Sequence, residues 1–198
     1  MDAPRLVLAS ASAARRSLLG NAGLVFEARA AAVDEAALKR AGWNDGAEAT
    51  ALALAALKAQ TVSAFAPGAL VIGADQLLVC GETWFDKPAT PAMAREQLRA
   101  LRGRTHELVT ACVCVRDGAV AWRHVTRPRM TMRAISDATL DAYLALEGER
   151  VTGSVGAYRL EGPGVLLFEA IEGDFFSVLG LPLLPLLGFF RQLGVLTP

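Results

Sequence analysis

Hydroxyls, cations and carboxylates recur in this chain at places where they could grip an anion beside an acid. In Ser10-Ala11-Ser12-Ala13-Ala14-Arg15-Arg16, Ser12 is a good N-cap, and the N–H groups of the first helical turn have no helical partner. Arg15 and Arg16 oppose the helix dipole there, by about 0.3–1 kcal/mol each, unless an anion binds at the same end. Two hydroxyls, free N–H groups and two guanidiniums make a phosphate cradle; the alternative is two exposed arginines on a surface helix. An acid comes from Leu70-Val71-Ile72-Gly73-Ala74-Asp75-Gln76. This reads as a buried strand that stops at Gly73 and carries Asp75 to its end, where α/β sheets hold ligands; the alternative is an aspartate that begins a turn. Val33-Asp34-Glu35 adds adjacent carboxylates. Side chains one residue apart diverge, so only one of them can face a site shared with Asp75. Lys58 falls in a stripe with Leu54, Val62 and Phe65, where it either snorkels outward or projects into a polar cleft. Lys87 is held against Pro88 in a short connection, which limits the freedom of its charged head.

The elements needed to place these groups are legible in outline. A strand at 6–9 leads into a helix from Ser12 to Asn21 or Gly23, and a second strand is expected within 24–30. An alanine-rich helix covers 46–65 ahead of the Asp75 strand. Hairpin arms follow at 77–80 and 83–85, then a helix at 91–101 opened by Pro91 and strands at 106–116 and 119–125 joined by Asp117-Gly118. His106, at a strand start, is expected to be a satisfied structural histidine. Polar and apolar residues alternate over 127–135, and Ser136-Asp137 begin a helix to about 146. The glycine-dense stretch 153–164 lacks GxGxxG or Walker-A spacing, but it could let backbone approach a base or ribose, with Tyr158 and Glu161 in contact. A strand at 165–171 and a final helix after Gly180-Leu181-Pro182, ending near Leu193, complete the chain.

The totals exclude several classes. At 198 residues the chain can bury roughly 70% of its unfolded surface. Twenty Lys plus Arg balance twenty Asp plus Glu, so no overall field favours long nucleic acid or an anionic membrane. Cys80, Cys112 and Cys114 show no CxxC spacing; Cys112 and Cys114 share one face of a strand, and all three read as buried thiols of a reducing compartment. The start, Met1-Asp2-Ala3-Pro4-Arg5, has no signal-type segment, and the apolar run 175–190 is short and broken by Pro182 and Pro185. A cytoplasmic protein is expected.

Taken in order, Ser10-x-Ser12-x-x-Arg15-x-x-Leu18-Leu19, Val33-Asp34-Glu35, Lys58, Gly73-Ala74-Asp75-Gln76, Lys87-Pro88, Gly103-Arg104-Thr105-His106, Gly153-x-x-Gly156-Ala157-Tyr158 and Gly180-Leu181-Pro182 strongly resemble the Maf family of nucleoside triphosphate pyrophosphatases. The resemblance runs from Leu6 to Leu193. It implies one Maf-like α/β domain over 1–198, a mixed, mostly antiparallel twisted sheet with flanking helices and two lobes around a central cleft. It also implies hydrolysis of a nucleoside triphosphate to the monophosphate and pyrophosphate with Mg²⁺ or Mn²⁺. On that resemblance Asp75 is the general base and a metal ligand, and Glu35 is the second carboxylate. Arg15, Lys58 and Lys87 hold the phosphates, with Ser10 and Ser12 at the helix start. One branch of the family acts on dTTP and UTP; the other prefers 7-methyl-GTP and carries Gln and Glu where this chain has Gln76 and Glu161. A carboxylate can accept from the guanine N1–H and 2-amino groups and favours the positive charge of the methylated ring. At Ala14 the chain departs from both branches, which often have Trp or Arg there. The expected partner is a small nucleotide rather than nucleic acid or membrane, and a homodimer is left open. The competing expectations are a dTTP/UTP pyrophosphatase, or a nucleotide-binding regulator of cell division without turnover.

Overall fold

The computed structural model describes residues 4–196; the opening Met1-Asp2-Ala3 lies outside them. In chain order the elements are β1 (Leu6–Leu8), α1 (Ala13–Asn21), β2 (Phe26–Ala28), α2 (Glu35–Ala41), α3 (Ala47–Ser63), β3 (Leu70–Cys80), β4 (Thr83–Phe85) and α4 (Pro91–Leu101). There follow β5 (Thr105–Arg116), β6 (Ala119–Thr126), β7 (Arg129–Met132), α5 (Asp137–Glu147), β8 (Phe168–Glu172), α6 (Phe175–Val178) and α7 (Leu183–Gln192). The strands form a mixed eight-stranded sheet in the order β2-β1-β3-β5-β7-β8, with β4 on β3 and β6 on β5. The β1–β2 and β1–β3 pairings are parallel. Those of β3–β4, β5–β6, β5–β7 and β7–β8 are antiparallel. Among the described residues no helix is long and apolar enough to cross a membrane.

The chain divides into two compact units. Of the described residues, the first comprises 4–75, 110–126 and 175–196. Its core follows from strand alternation: Leu6, Leu8, Leu70, Ile72, Ala74, Cys112 and Cys114 face α1 and α7 and pack with Leu18, Leu19, Leu186 and Phe190. The thiols of all three cysteines are free and buried. Residues on the opposite face of β3 meet α3. A Cβ at Gly73 would overlap the Ala55 carbonyl oxygen and crowd Ala59, so only glycine lets the Ala51, Ala55 and Ala59 side of the helix lie this close. This corrects the reading of Gly73 as the end of the strand. β3 runs through Gly73 and Asp75 to Cys80, because a glycine with extended backbone keeps the ladder and yields only its side-chain volume.

The second unit comprises residues 76–109 and 127–174. Cys80 pairs with Thr83 across the expected hairpin turn. α4 is capped by Thr90 and opened by Pro91, and α5 is capped by Ser136. Arg95 binds both Asp141 oxygens, and Arg102 donates to Asp137. Short 3₁₀ turns occupy Gly148–Gly153, Val155–Ala157 and Pro163–Leu167, so the strand expected at 165–171 begins only at Phe168.

Candidate active site

The first unit gathers Asp75, Glu35, Lys58, Arg15, Ser10 and Ser12. Asp75 lies two residues beyond Gly73 on the α3 face of β3, and it is buried with only 6% of its side chain exposed. The Lys58 stripe of α3 meets that face. Lys58 Nζ donates to Asp75 Oδ1 at 2.6 Å and lies 2.8 Å from Glu35 Oε1. Lys58 therefore does not snorkel outward; it bridges two carboxylates, while its stripe neighbours Leu54 and Val62 are buried and Phe65 lies exposed beyond the end of the helix at Ser63.

The adjacent acids 34 and 35 separate as strand and helix geometry require. Asp34 caps α2 by accepting from the Ala37 N–H at 2.9 Å, and Glu35, in the first turn of that helix, turns to Lys58. The helix itself was not expected from the sequence; the signal available was Asp34 acting as a cap ahead of Glu-Ala-Ala-Leu-Lys-Arg. Asp75 Oδ2 is buried and accepts no hydrogen bond. Two carboxylates share one ammonium.

Ser12 caps α1 by accepting from the Arg15 N–H, and the Ser10 hydroxyl accepts from the Ser12 N–H at 3.2 Å. The Arg15 side chain leaves the helix: Nε donates to the Gly180 carbonyl at 2.7 Å and Nη1 donates to Ser10 Oγ at 3.3 Å. Burial pulls the guanidinium below its usual value, while the carboxylates of Asp75 and Glu35 act the other way. Arg16 is exposed and Ala14 half-buried. Only one arginine of the pair thus belongs to the cluster, since neighbouring helical side chains point some 100° apart.

A model of the Maf-like protein family matches residues 5–193. The chain belongs to the Maf family. It is 54% identical over 195 residues to a protein of Granulibacter bethesdensis named nucleoside triphosphate pyrophosphatase, a match covering 98% of this chain and 99% of that one. It is 52% identical over 195 residues to a protein of Rhizobium meliloti named 7-methyl-GTP pyrophosphatase, covering 98% of each. A nucleoside triphosphate pyrophosphatase of Paramagnetospirillum magneticum is 53% identical over 194 residues, 97% of this chain and 100% of that one. The family resemblance read from the ordered motifs is borne out.

Gln76, Lys87 and Glu161 fall in the second unit. Gln76 follows Asp75 on β3 and is half-buried, and Lys87 is exposed beside buried Pro88. Glu161 is exposed and accepts from Arg159 Nε at 3.4 Å. Tyr158 is a correction. Its hydroxyl bonds His106 Nε2 at 2.8 Å and donates to Met130 sulfur at 3.4 Å, and its ring meets Phe168 edge-on, so a Maf chain uses it here as core rather than as a base contact. His106 is buried as a structural histidine, as its position predicts, but it is only half satisfied: Nε2 meets the Tyr158 hydroxyl, and Nδ1 is buried with no hydrogen-bond partner.

Among the described residues no group of three or more His, Cys, Asp or Glu side chains gathers as a metal cage. A magnesium-type ion does not need one, since it takes one or two carboxylates and leaves the remaining positions to water and substrate phosphate. The unpartnered Asp75 Oδ2 and the adjacent Glu35 fit that requirement.

Proposed function

We propose that this Maf-family chain is a nucleoside triphosphate pyrophosphatase that cleaves between the α- and β-phosphates and favours 7-methyl-GTP. The observation that carries the reading is Asp75: a buried carboxylate held on one oxygen by Lys58, with the other oxygen unpartnered. In-line attack of water at the α-phosphorus breaks the α–β anhydride bond, whose electron pair leaves with pyrophosphate. Asp75 Oδ2 takes the proton from the attacking water, a role for which Lys58 fixes the carboxylate in place. Asp75 and Glu35 are also the residues that would hold a divalent cation, which when bound supplies charge for the phosphate oxygens. Lys58 spends two of its three N–H donors on the carboxylates and keeps the third for phosphate. Arg15 offers its remaining N–H groups to phosphate oxygens, beside the Ser10 and Ser12 hydroxyls. The family resemblance assigns Lys87 to phosphate and Gln76, Glu161 and the position of Ala14 to base selection.

Support for the substrate comes from relatives named for it and from the Gln76 and Glu161 pair. The buried thiols suit a cytoplasmic setting, and a homodimer belongs to the same reading. The test is pyrophosphate release from 7-methyl-GTP, GTP, UTP, dTTP, CTP and ATP, with and without Mg²⁺ or Mn²⁺. Release that needs metal and is led by 7-methyl-GTP is expected. Release led by UTP or dTTP would keep the chemistry and overturn the base assignment, and no release from any nucleotide would leave a binding protein.

A further inference from the structure

We propose that Gly180, the first residue of the Gly180-Leu181-Pro182 turn, is a positioning residue for Arg15; the inference rests on Arg15 binding phosphate as described above. Gly180 sits between α6 and α7 with a φ of +97°, a conformation that side chains rarely adopt. The turn is itself fixed: the Gly180 N–H donates to the Ser177 carbonyl at 3.0 Å and the Leu181 N–H to that of Phe176 at 3.2 Å. Ser177 is held in turn, its carbonyl accepting from the Thr110 hydroxyl of β5 at 3.0 Å. The Gly180 carbonyl therefore points at Arg15 from a rigid frame and takes its Nε–H at 2.7 Å.

The glycine serves Arg15 a second way. A Cβ at residue 180 would stand 3.3 Å from Arg15 Nε and 3.4 Å from Nη2, so the guanidinium lies where a side chain would begin. An arginine has five N–H donors. Gly180 takes Nε and Ser10 takes one from Nη1, which turns the nitrogens at the far end of the fork toward an incoming anion. A free arginine would lose much rotamer entropy on gripping phosphate; here the fold has already absorbed that loss. The consequence is a guanidinium preset for two phosphate oxygens.

Gly180→Ala, Arg15→Lys and the double variant test this by calorimetry with inorganic tripolyphosphate and by KM and kcat for pyrophosphate release. Gly180→Ala is expected to weaken tripolyphosphate and raise KM about tenfold while kcat changes less than about threefold. In the Arg15→Lys background, which has no Nε–H to hold, the same change should cost less than about twofold. Equal losses in both backgrounds, or wild-type affinity in a folded Gly180→Ala protein, would overturn the proposal, as would a wild-type protein that does not bind tripolyphosphate. Should Gly180→Ala fail to fold, the wild-type Arg15 Nε–H decides: slow solvent exchange by NMR against fast exchange for Arg16 supports the hold, and fast exchange for both overturns it. Tripolyphosphate binding without turnover of any nucleotide would sink the proposed activity and leave this test standing. Turnover with no dependence on Gly180 would sink only the positioning role.

Discussion

Each unit buries a cluster of charges, and the two clusters are composed differently. In the first, one ammonium serves two carboxylates, Asp75 and Glu35, and Glu35 keeps 44% of its side chain exposed. In the second, Glu147 is wholly covered, with Arg159 at 3.3 Å and Arg150 at 3.5 Å, and Arg159 also meets Glu161. Both clusters contain a carboxylate oxygen with no hydrogen-bond partner, Asp75 Oδ2 and Glu147 Oε1. An orphaned oxygen alone therefore does not mark a site. What separates them is access: Glu147 is wholly covered between two arginines and ties a turn-rich segment to the end of α5, whereas the Asp75 cluster is open on the Glu35 side. Buried charge can serve as scaffold when it is sealed and as chemistry when it stays within reach of solvent.

The strongest way to break that distinction is Lys58→Met. Removing the ammonium leaves two carboxylates facing each other, and a loss of about 3–5 kcal/mol in stability is expected together with loss of turnover. Thermal melting with and without Mn²⁺ checks the bridge: the ion should raise the melting temperature of the variant, which has lost a cation between its carboxylates, more than that of wild type, and an equal response would refute the role of Lys58 between them. Asp75→Asn comes next. It should lower pyrophosphate release by two or more orders of magnitude, about 3 kcal/mol or more in the barrier, while triphosphate still binds. Unchanged turnover would remove Asp75 from the mechanism.

His106 sharpens the comparison from the neutral side. Burial pushes its imidazole down to about 4 from an ordinary value near 6.5. The unfolded chain then binds the proton more readily than the folded one, so stability is full above pH 6.5, falls as pH drops from 6.5 to 4, and levels off below. The loss is about 3 kcal/mol, and denaturant titrations of wild type and His106→Gln across that window should show the slope only in wild type. The smallest effect belongs to Glu147→Gln. Its amide oxygen can still accept from Arg159 while the ion pair with Arg150 is lost, so about 1–2 kcal/mol of stability should go, with pyrophosphate release held within about threefold. A collapse of turnover in this variant would mean that the sealed cluster is not scaffold alone.

Much of the fold was legible because its signals are local. The Ser12, Thr90 and Ser136 caps, the hairpins at Gly81-Glu82 and Asp117-Gly118, and the alanine-rich helix each depend on neighbours in sequence. α2 was missed because its seven residues bury no side chain and so give no apolar stripe to read. Gly73 was misread because glycine marks both a break in a strand and a close approach, and only the presence of α3 decides between them. Tyr158 was misread for a similar reason: a glycine-dense context suggests ligand contact, while His106 and Phe168, distant in sequence, take the ring into the core.

By itself the sequence determined the family, through the order of its motifs, and the inventory of acids, cations and hydroxyls available for phosphate chemistry. It also set the local rules by which those groups are presented, alternation on β3 and periodicity on α3. Tertiary structure alone decided that Lys58 bridges Asp75 and Glu35, that Arg15 rather than Arg16 joins the cluster, and that the Gly180 carbonyl holds it. The physical reason is range: caps and turns act over a few residues, whereas an ion pair or a guanidinium clamp joins residues 17 and 165 positions apart, which only the packed core brings together.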